Sequence, residues 1–306
     1  MRAGPLCFRA AWVYGRGMDG PAPNLASTLR DATDALTPVS ATPRLDAELL
    51  MAHALGIDRS AMLLRMHDLA VPAGFAALLA RRVADEPVAY ITGMQAFWDL
   101  DLHVTPDVLI PRADSETVIE VAIAGFAGRD APARILDLGT GSGALLLAAL
   151  SVFGDAQAVG IDASAAALAV ASGNASRLGL DGRAYFEQRD WTLDGWADGL
   201  GQFDLIMCNP PYIEDATPLA DMVARHEPHS ALFAGPDGLR DYRILLKTLE
   251  KLLKTTGIAV FEIGFNQSKS VAKLGTEAGF TSELTHDLSG NPRVLRFSLG
   301  IAQPNR

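Results

Sequence analysis

The stretch Ile135-Leu136-Asp137-Leu138-Gly139-Thr140-Gly141-Ser142-Gly143 decides the fold. An apolar strand holding one acid runs into a turn with glycine at every second position. Residues 144–151 then read as a buried helix. Glycines allow a tight turn and let a ligand lie against bare backbone. A strand–turn–helix of this kind places that ligand at the carboxyl edge of a parallel sheet. The spacing is Gly-x-Gly-x-Gly, not the Gly-x-Gly-x-x-Gly of dinucleotide sites, and the loop lacks the lysine of a phosphate-binding P-loop.

Outward from this loop, apolar strands alternate with helices from residue 133 onward, which signals a parallel sheet with crossover helices. The pattern predicts strands at 134–138, 158–161, 184–188, 203–208 and 258–263. It predicts helices at 144–151, 165–178, 239–254 and 267–278. Two more strand-like runs, 281–285 and 294–299, flank the turn Ser289-Gly290-Asn291-Pro292 and predict a terminal antiparallel hairpin.

Upstream, residues 25–86 are rich in alanine and leucine and predict a bundle of four helices. Thr42 reads as a cap with Pro43 in the first turn, and Gly56 as the end of that helix. Leu45, Leu49, Ala52 and Leu55 read as its apolar face, and Pro72 as the opening of a helix through Arg82. Val88, Tyr90 and Ile91, then Phe97, Trp98, Leu100, Leu102 and Val104, read as short strands around Gly93. The expected organisation is an extension at 1–24, a helical domain at 25–86, a β-hairpin linker at 87–110 and an α/β domain at 111–306. The expected class is therefore α/β: a Rossmann-like sheet with a terminal antiparallel hairpin, preceded by a small helical bundle.

The 306 residues suit two domains, and 49% hydrophobic residues suffice for sizeable cores. A net charge of −10 repels phosphates, so extended nucleic-acid binding is not expected. The two cysteines, Cys7 and Cys208, build no disulfide framework and no zinc site, which fits a reducing compartment. No apolar run reaches the roughly 18 residues of a membrane span. A soluble, cytoplasmic, metal-free monomer is expected. Residues 1–17 carry Arg2, Arg9 and Arg16 with no acid and no serine. They read as a disordered extension, or as sequence ahead of a true start at Met18, in preference to a transit peptide.

The strand ends carry the chemistry. Gly160-Ile161-Asp162 closes the second strand, where an acid can accept hydrogen bonds from both hydroxyls of a ribose. Arg189-Asp190-Trp191 closes the third, in a position to flank an adenine. The plainer reading of each acid is a solvated strand end. The fourth strand ends in Asn209-Pro210-Pro211-Tyr212. This corner suits a planar, amide-like nitrogen, whose lone pair is delocalised into its carbonyl and is a poor nucleophile. A general base would not restore that electron density. Two rigid acceptors that grip the N–H bonds and aim the lone pair would help. The Asn209 side-chain carbonyl and the Pro210 backbone carbonyl are such acceptors, on a turn that Pro210 and Pro211 stiffen. Tyr212 can cover one face of the planar group. The plainer reading is a structural Asn-Pro-Pro turn.

With Asp137 before it, the glycine loop resembles the nucleoside–methionine loop of class I methyltransferases, whose ligand carries no phosphate. Over residues 25–300 the chain resembles the protein release-factor glutamine methyltransferase family. The resemblance rests on Arg44-Leu45-Asp46-Ala47-Glu48-Leu49-Leu50, Glu86-Pro87-Val88-Ala89-Tyr90-Ile91-Thr92-Gly93, Phe97-Trp98 and Ile110-Pro111-Arg112-Ala113-Asp114-Ser115-Glu116. The Gly139–Gly143 loop, Asp162, Asp190-Trp191 and Asn209–Tyr212 follow in order. Glu227-Pro228, Ala231-Leu232, Asp237-Gly238-Leu239 and Gly290-Asn291-Pro292-Arg293 complete the match. Ala113 stands where a second proline is usual, which loosens a backbone turn.

The resemblance implies a class I methyltransferase that uses S-adenosyl-L-methionine and releases S-adenosyl-L-homocysteine. It implies cofactor contacts from Gly139, Thr140, Gly141, Ser142, Gly143, Asp162, Asp190, Trp191 and Asn209. It implies methylation at N5 of the glutamine in the Gly-Gly-Gln tip of class 1 peptide-chain release factors. Asn209, Pro210, Pro211 and Tyr212 would hold that glutamine, with Phe97 and Arg112 lining the pocket; Asn209, Pro210 and Tyr212 would be the catalytic set. The helical domain would help hold the factor. Arg112 and Glu116 read either as shaping the pocket floor or as an ordinary ion pair. His226 and His229 are not expected to be catalytic, and Cys208 is expected to pack. Two rival readings are a methyltransferase for base amino groups in nucleic acid and a non-catalytic cofactor-binding module.

Overall fold

The computed structural model describes residues 24–300. Those residues form two compact units: 24–93 with Asp221–His226, and 94–220 with 227–300. Cys7 and the remainder of the expected 1–24 extension short of residue 24 lie outside the described residues.

The first unit holds α1 (Leu25–Leu36), α2 (Pro43–Leu55), α3 (Arg59–Leu64), α4 (Phe75–Val83) and α5 (Val88–Thr92). The Asn24 side chain caps α1 by accepting from the Ser27 N–H at 2.8 Å, and Asp58 caps α3 from Ala61 at 2.8 Å. Leu25, Leu29, Leu50, Met51, Met62 and Phe75 are buried together.

The expected apolar face of α2 is wrong. Leu45 and Leu49 are 40% and 36% exposed, while Asp46, Ala47, Glu48, Leu50 and Met51 are buried. The acids turn inward because each meets arginine. Arg82 Nε donates to Asp46 at 2.8 Å, and Arg59 Nε donates to Glu48 at 2.7 Å. Thr42 occupies the cap position but spends its hydroxyl on Asp46 Oδ1 at 3.2 Å. Gly56 does end α2, in the left-handed region at φ 67°. The helix expected to open at Pro72, α4, begins instead at Phe75, whose N–H donates to the Pro72 carbonyl at 3.1 Å. The Val88, Tyr90, Ile91 run is also helix and not strand. Ala89, Tyr90 and Ile91 are buried in succession, without the alternation of a strand, and Gly93 closes the turn at φ 71°.

The second unit opens with a hairpin, β1 (Met94–Phe97) and β2 (Leu100–His103), joined through Trp98 and Asp99. Helix α6 (Glu116–Phe126) leads into the main sheet. Its strands are β3 (Arg134–Leu138), β4 (Gln157–Asp162), β5 (Ala184–Gln188), β6 (Phe203–Cys208), β7 (Leu253–Glu262), β8 (Phe280–His286) and β9 (Pro292–Leu299). The order is β5-β4-β3-β6-β7-β9-β8. The first five strands run parallel, and β9 is antiparallel to β7 and β8, giving the terminal hairpin. Helices α7 (Ala144–Val152), α8 (Ala165–Arg177), α10 (Arg240–Leu252) and α11 (Ser268–Glu277) are the connections, with α9 (Asp221–His226) belonging to the first unit.

Residues 135–138 and 205–208 are buried without a break, as strands covered on both faces require. One face packs against Leu145–Leu150 of α7, the other against Tyr242, Leu245 and Leu249 of α10. The strand order reverses at β3, so the crevice for a ligand lies at the carboxyl ends of β3, β4 and β6. Among the described residues, no helix is long and apolar enough to cross a membrane.

Asp46→Ala would take from the Arg82 guanidinium, itself 3% exposed, its nearer carboxylate at 2.8 Å and leave it Asp85 at 3.5 Å. Fully unpairing a buried charge costs about 3–5 kcal/mol. Urea unfolding should show a loss below that, and a smaller loss still for Asp46→Asn, which keeps an acceptor.

Candidate active site

Parallel register assembles the site. Leu138 of β3 pairs with Ile161 of β4 and Cys208 of β6. The loop after Leu138, Asp162 and the corner after Cys208 therefore leave the sheet at one edge. The Gly139 and Thr140 N–H groups both donate to the Ile161 carbonyl at 2.9 Å, which pins the loop to the neighbouring strand. Gly139, Gly141 and Gly143 sit at φ 75°, 53° and 84°, a region other side chains avoid.

Two carboxylates stand under the loop. Asp162 accepts from the Gly141 N–H at 3.0 Å and the Ser164 N–H at 2.9 Å. Burial nevertheless holds its pKa above the ordinary value, because desolvation outweighs these bonds. Each of its oxygens keeps acceptor capacity for a further donor. Asp137 is 1% exposed; its Oδ2 accepts the Thr140 hydroxyl at 2.7 Å and its Oδ1 finds no partner among the described residues. Burial pushes its pKa up to about 7.

The cleft above is lined by Phe97, Arg112, Ser115, Asp137, the Gly139–Ser142 loop and Asn209. Of the residues expected from sequence, it thus gathers Phe97, Arg112, Gly139, Thr140, Gly141, Ser142 and Asn209. Gly143 is buried behind the loop, at the start of α7. Asp162 joins through Gly141. The Trp191 ring lies against the loop, 3.1 Å from where a Cβ on Gly139 would sit, and its indole N–H donates to Asp241 at 2.7 Å. Asp190 caps its own turn: it accepts from the Thr192 N–H at 2.8 Å and hydroxyl at 2.6 Å, which hold its carboxyl below the usual range.

At the corner, Pro210 and Pro211 are buried while Asn209 and Tyr212 are half-buried. Asn209 Nδ2 donates to Ser115 Oγ at 3.3 Å, and the Tyr212 hydroxyl donates to Glu262 at 3.3 Å. Burial and the neighbouring Glu262 carboxylate push the Tyr212 phenol upward. Gln267 donates to the Tyr212 and Gly238 carbonyls at 2.9 and 3.1 Å. Gly238 has φ 66°, and a Cβ there would run into the Tyr212 carbonyl oxygen.

The Arg112–Glu116 ion pair does not form. Arg112 pairs with the buried Glu227, and Glu116 accepts the Trp98 N–H at 2.8 Å across the hairpin turn, where Trp98 takes φ 58°. Neither His226 nor His229 lines the cleft. Cys208 is buried and donates to the Leu138 carbonyl at 3.2 Å, and burial pushes its thiol well up, as befits packing. Ser115, Glu227, Asp241 and Glu262 were not singled out individually from sequence. Glu262 carried a usable signal, a lone acid closing the apolar run Ile258-Ala259-Val260-Phe261. That is the same pattern that marked Asp162.

These residues fit the methyl donor expected from the sequence. Asp162 offers acceptors for a diol, the glycine loop offers bare backbone, and Asp137 offers an unpaired buried oxygen for a cationic group. The loop brings no lysine for a phosphate.

The PrmC N-terminal domain family matches residues 27–93, and a methyltransferase domain family matches residues 130–282. The chain is 43% identical over 259 residues to the release factor glutamine methyltransferase of Rhodospirillum rubrum, covering 83% of this chain and 78% of that one. It is 40% identical to the protein of the same name from Caulobacter vibrioides, covering 86% and 90%. It is 38% identical to that from Vibrio cholerae, covering 88% and 95%.

Asp137 and Glu262 both have folded-state values of about 7, raised from ordinary values of 3.8 and 4.5 by burial. The fold prefers their protonated forms. Their contribution to stability is complete below the ordinary values and is lost as pH rises from about 4 to about 7. Thermal melts of ligand-free protein across that window should show this loss, and Asp137→Asn should flatten part of it.

Proposed function

The chain belongs to the release factor glutamine methyltransferase family, and from that premise we propose its reaction. It transfers the methyl group of S-adenosyl-L-methionine to N5 of the glutamine in the Gly-Gly-Gln motif of class 1 peptide-chain release factors, leaving S-adenosyl-L-homocysteine. One observation carries the reading: the Asn209 amide opens into the same cleft as the Gly139–Ser142 loop. When bound, the cofactor supplies an electrophilic methyl on a sulfonium.

In this reading Gly139, Thr140, Gly141, Ser142 and Gly143 seat the cofactor, with Asp162 at its ribose and Asp137 beside its cationic end. Trp191, held by Asp241, flanks the adenine, with Asp190 next to it. The glutamine amide lies against Pro210, Pro211 and Tyr212, with Phe97 and Arg112 on the cleft wall. Asn209 Oδ1 and the Pro210 carbonyl each accept one N–H. The two acceptors fix the rotation of the amide and leave its lone pair facing the methyl. As the bond forms, the nitrogen gains positive charge, and both acceptors bind it more tightly than before. The strongly acidic N-methylamide cation would then give its proton to water, so no protein base is needed to activate the nitrogen.

The cleft is lined by residues of the second unit, to which we assign the chemistry. The helical unit is assigned to holding the release factor. A substrate that works on the ribosome places the reaction in the cytoplasm.

The direct test is mass spectrometry of a release factor incubated with enzyme and cofactor. One methyl on the Gly-Gly-Gln glutamine is expected; methyl transfer to nucleic acid instead would overturn the reading. Asn209→Ala should collapse turnover while cofactor binding persists. Asp162→Ala should mainly weaken cofactor binding, by about 1.5–3 kcal/mol for lost charged hydrogen bonds, as read by calorimetry.

A further inference from the structure

Asparagine sits poorly in the middle of a helix, because its amide competes with the backbone for hydrogen bonds. Asn174 nonetheless lies within α8, 1% exposed, with Ala171 and Ala175 buried beside it. A buried side-chain amide has one oxygen to accept with and two hydrogens to give, and each needs a partner.

All find one. Asn174 Oδ1 accepts the His103 N–H at 2.7 Å. Its Nδ2 donates to the His103 carbonyl at 2.9 Å and to the Ser142 carbonyl at 2.9 Å. One side chain thus bonds two stretches far apart in sequence. His103 closes β2, the second strand of the hairpin that carries Phe97. Ser142 belongs to the glycine loop. Phe97 and Ser142 line one cleft, while His103 and Asn174 lie outside its lining.

The bond to Ser142 also settles the loop. The peptide joining Ser142 to Gly143 is one that turns over easily when left free, since a flip changes the φ of a glycine, which accepts either sign. Gly143 takes φ 84°, and its N–H donates to the Thr140 carbonyl at 2.7 Å. Asn174 holds the carbonyl at the other end of that peptide, so both ends of the plane are fixed. Gly143 lies against α8, where a Cβ would come within 3.3 Å of the Ala171 Cβ. Asp162 grips the loop elsewhere, accepting from the Gly141 N–H at 3.0 Å and from the N–H of Ser164, which caps α8, at 2.9 Å. The loop is therefore held at an amide by Asp162 and at a carbonyl by Asn174.

We infer that Asn174 is a positioning residue for the cofactor. It sets the hairpin that carries Phe97 against the glycine loop and fixes the loop's last peptide, so both walls of the cleft stand ready before the ligand arrives. Less ordering then opposes binding. Asn174 acts only through His103 and Ser142. The inference rests on the reading of the Gly139–Gly143 loop as the seat of S-adenosyl-L-methionine.

The test is calorimetric titration of S-adenosyl-L-homocysteine into wild type, Asn174→Ala and Asn174→Asp, with kcat and KM measured on a class 1 release factor. Asn174→Ala removes all the bonds. Asn174→Asp keeps the volume and the acceptor for His103, but sets a carboxylate oxygen against the two carbonyls. Both variants should lose about tenfold in affinity at full stoichiometry. KM for the cofactor should rise in step, with kcat at saturating cofactor changing far less. An asparagine that only stabilises the fold would lower the stoichiometry and leave the affinity of the folded fraction at the wild-type value; that result overturns the inference. Amide hydrogen exchange reads the same link without a substitution, and decides alone should neither variant fold. The His103 amide donates to Asn174 and lies outside the cleft lining, so bound S-adenosyl-L-homocysteine should slow its exchange together with that of the loop. Unchanged exchange at His103 overturns the inference and leaves the proposed function standing. Failure of the wild-type protein to bind S-adenosyl-L-homocysteine overturns the cofactor reading beneath it.

Discussion

The Gly139 and Thr140 amides, both bonded to the Ile161 carbonyl, tie the glycine turn to the end of a neighbouring strand. That tie exists because β3 lies in parallel register between β4 and β6, with Leu138 level with Ile161 and Cys208. A slip of one residue would turn each strand's side chains to the opposite face. Buried aliphatic positions on both faces of β3 and β6 forbid the slip. The hydrophobic effect thus sets the longitudinal position of three loops at once. The proposed cofactor seat and the proposed acceptor corner are neighbours for that reason, although some seventy residues separate Gly139 from Asn209 in the chain.

The corner is stiff for reasons that reach beyond its two prolines. Gln267 holds the Tyr212 and Gly238 carbonyls together, and a bare glycine at 238 permits the approach. Two carboxyls of this unit, Asp137 and Glu262, are buried, each with one oxygen that finds no partner among the described residues. Such groups are costly to a fold that uses them for nothing else. Burial raises the pKa of each above its ordinary value.

The strands at 134–138 and 203–208 were legible to the residue because each is a largely apolar run between turn formers, and 184–188 because Tyr185 and Phe186 favour strand. The helical region was legible as helix but not in its facing. Leucine spacing pointed to Leu45 and Leu49, yet Asp46 and Glu48 turn inward because arginines distant in sequence, Arg82 at 36 residues and Arg59 at 11, satisfy them. Val88 to Ile91 misled through β-branched composition, since a single helical turn is too short for its period to show. Arg112 and Glu116 invited pairing by their spacing, but Glu227 and the Trp98 amide claimed them.

By itself, the sequence determined which chemistry-bearing types stand at the strand ends: the glycine loop, Asp162, and Asn209 with its prolines. These are local patterns, written in consecutive residues, and local backbone preference is enough to read them. Only the tertiary structure decided which polar group satisfies which. Asn209 with Ser115, Glu262 with Tyr212, Trp191 with Asp241 and Arg112 with Glu227 are partners across the sheet edge. Buried hydrogen-bond capacity must be met by whatever folding brings near, and nearness in space is settled by packing of the whole unit rather than by spacing along the chain.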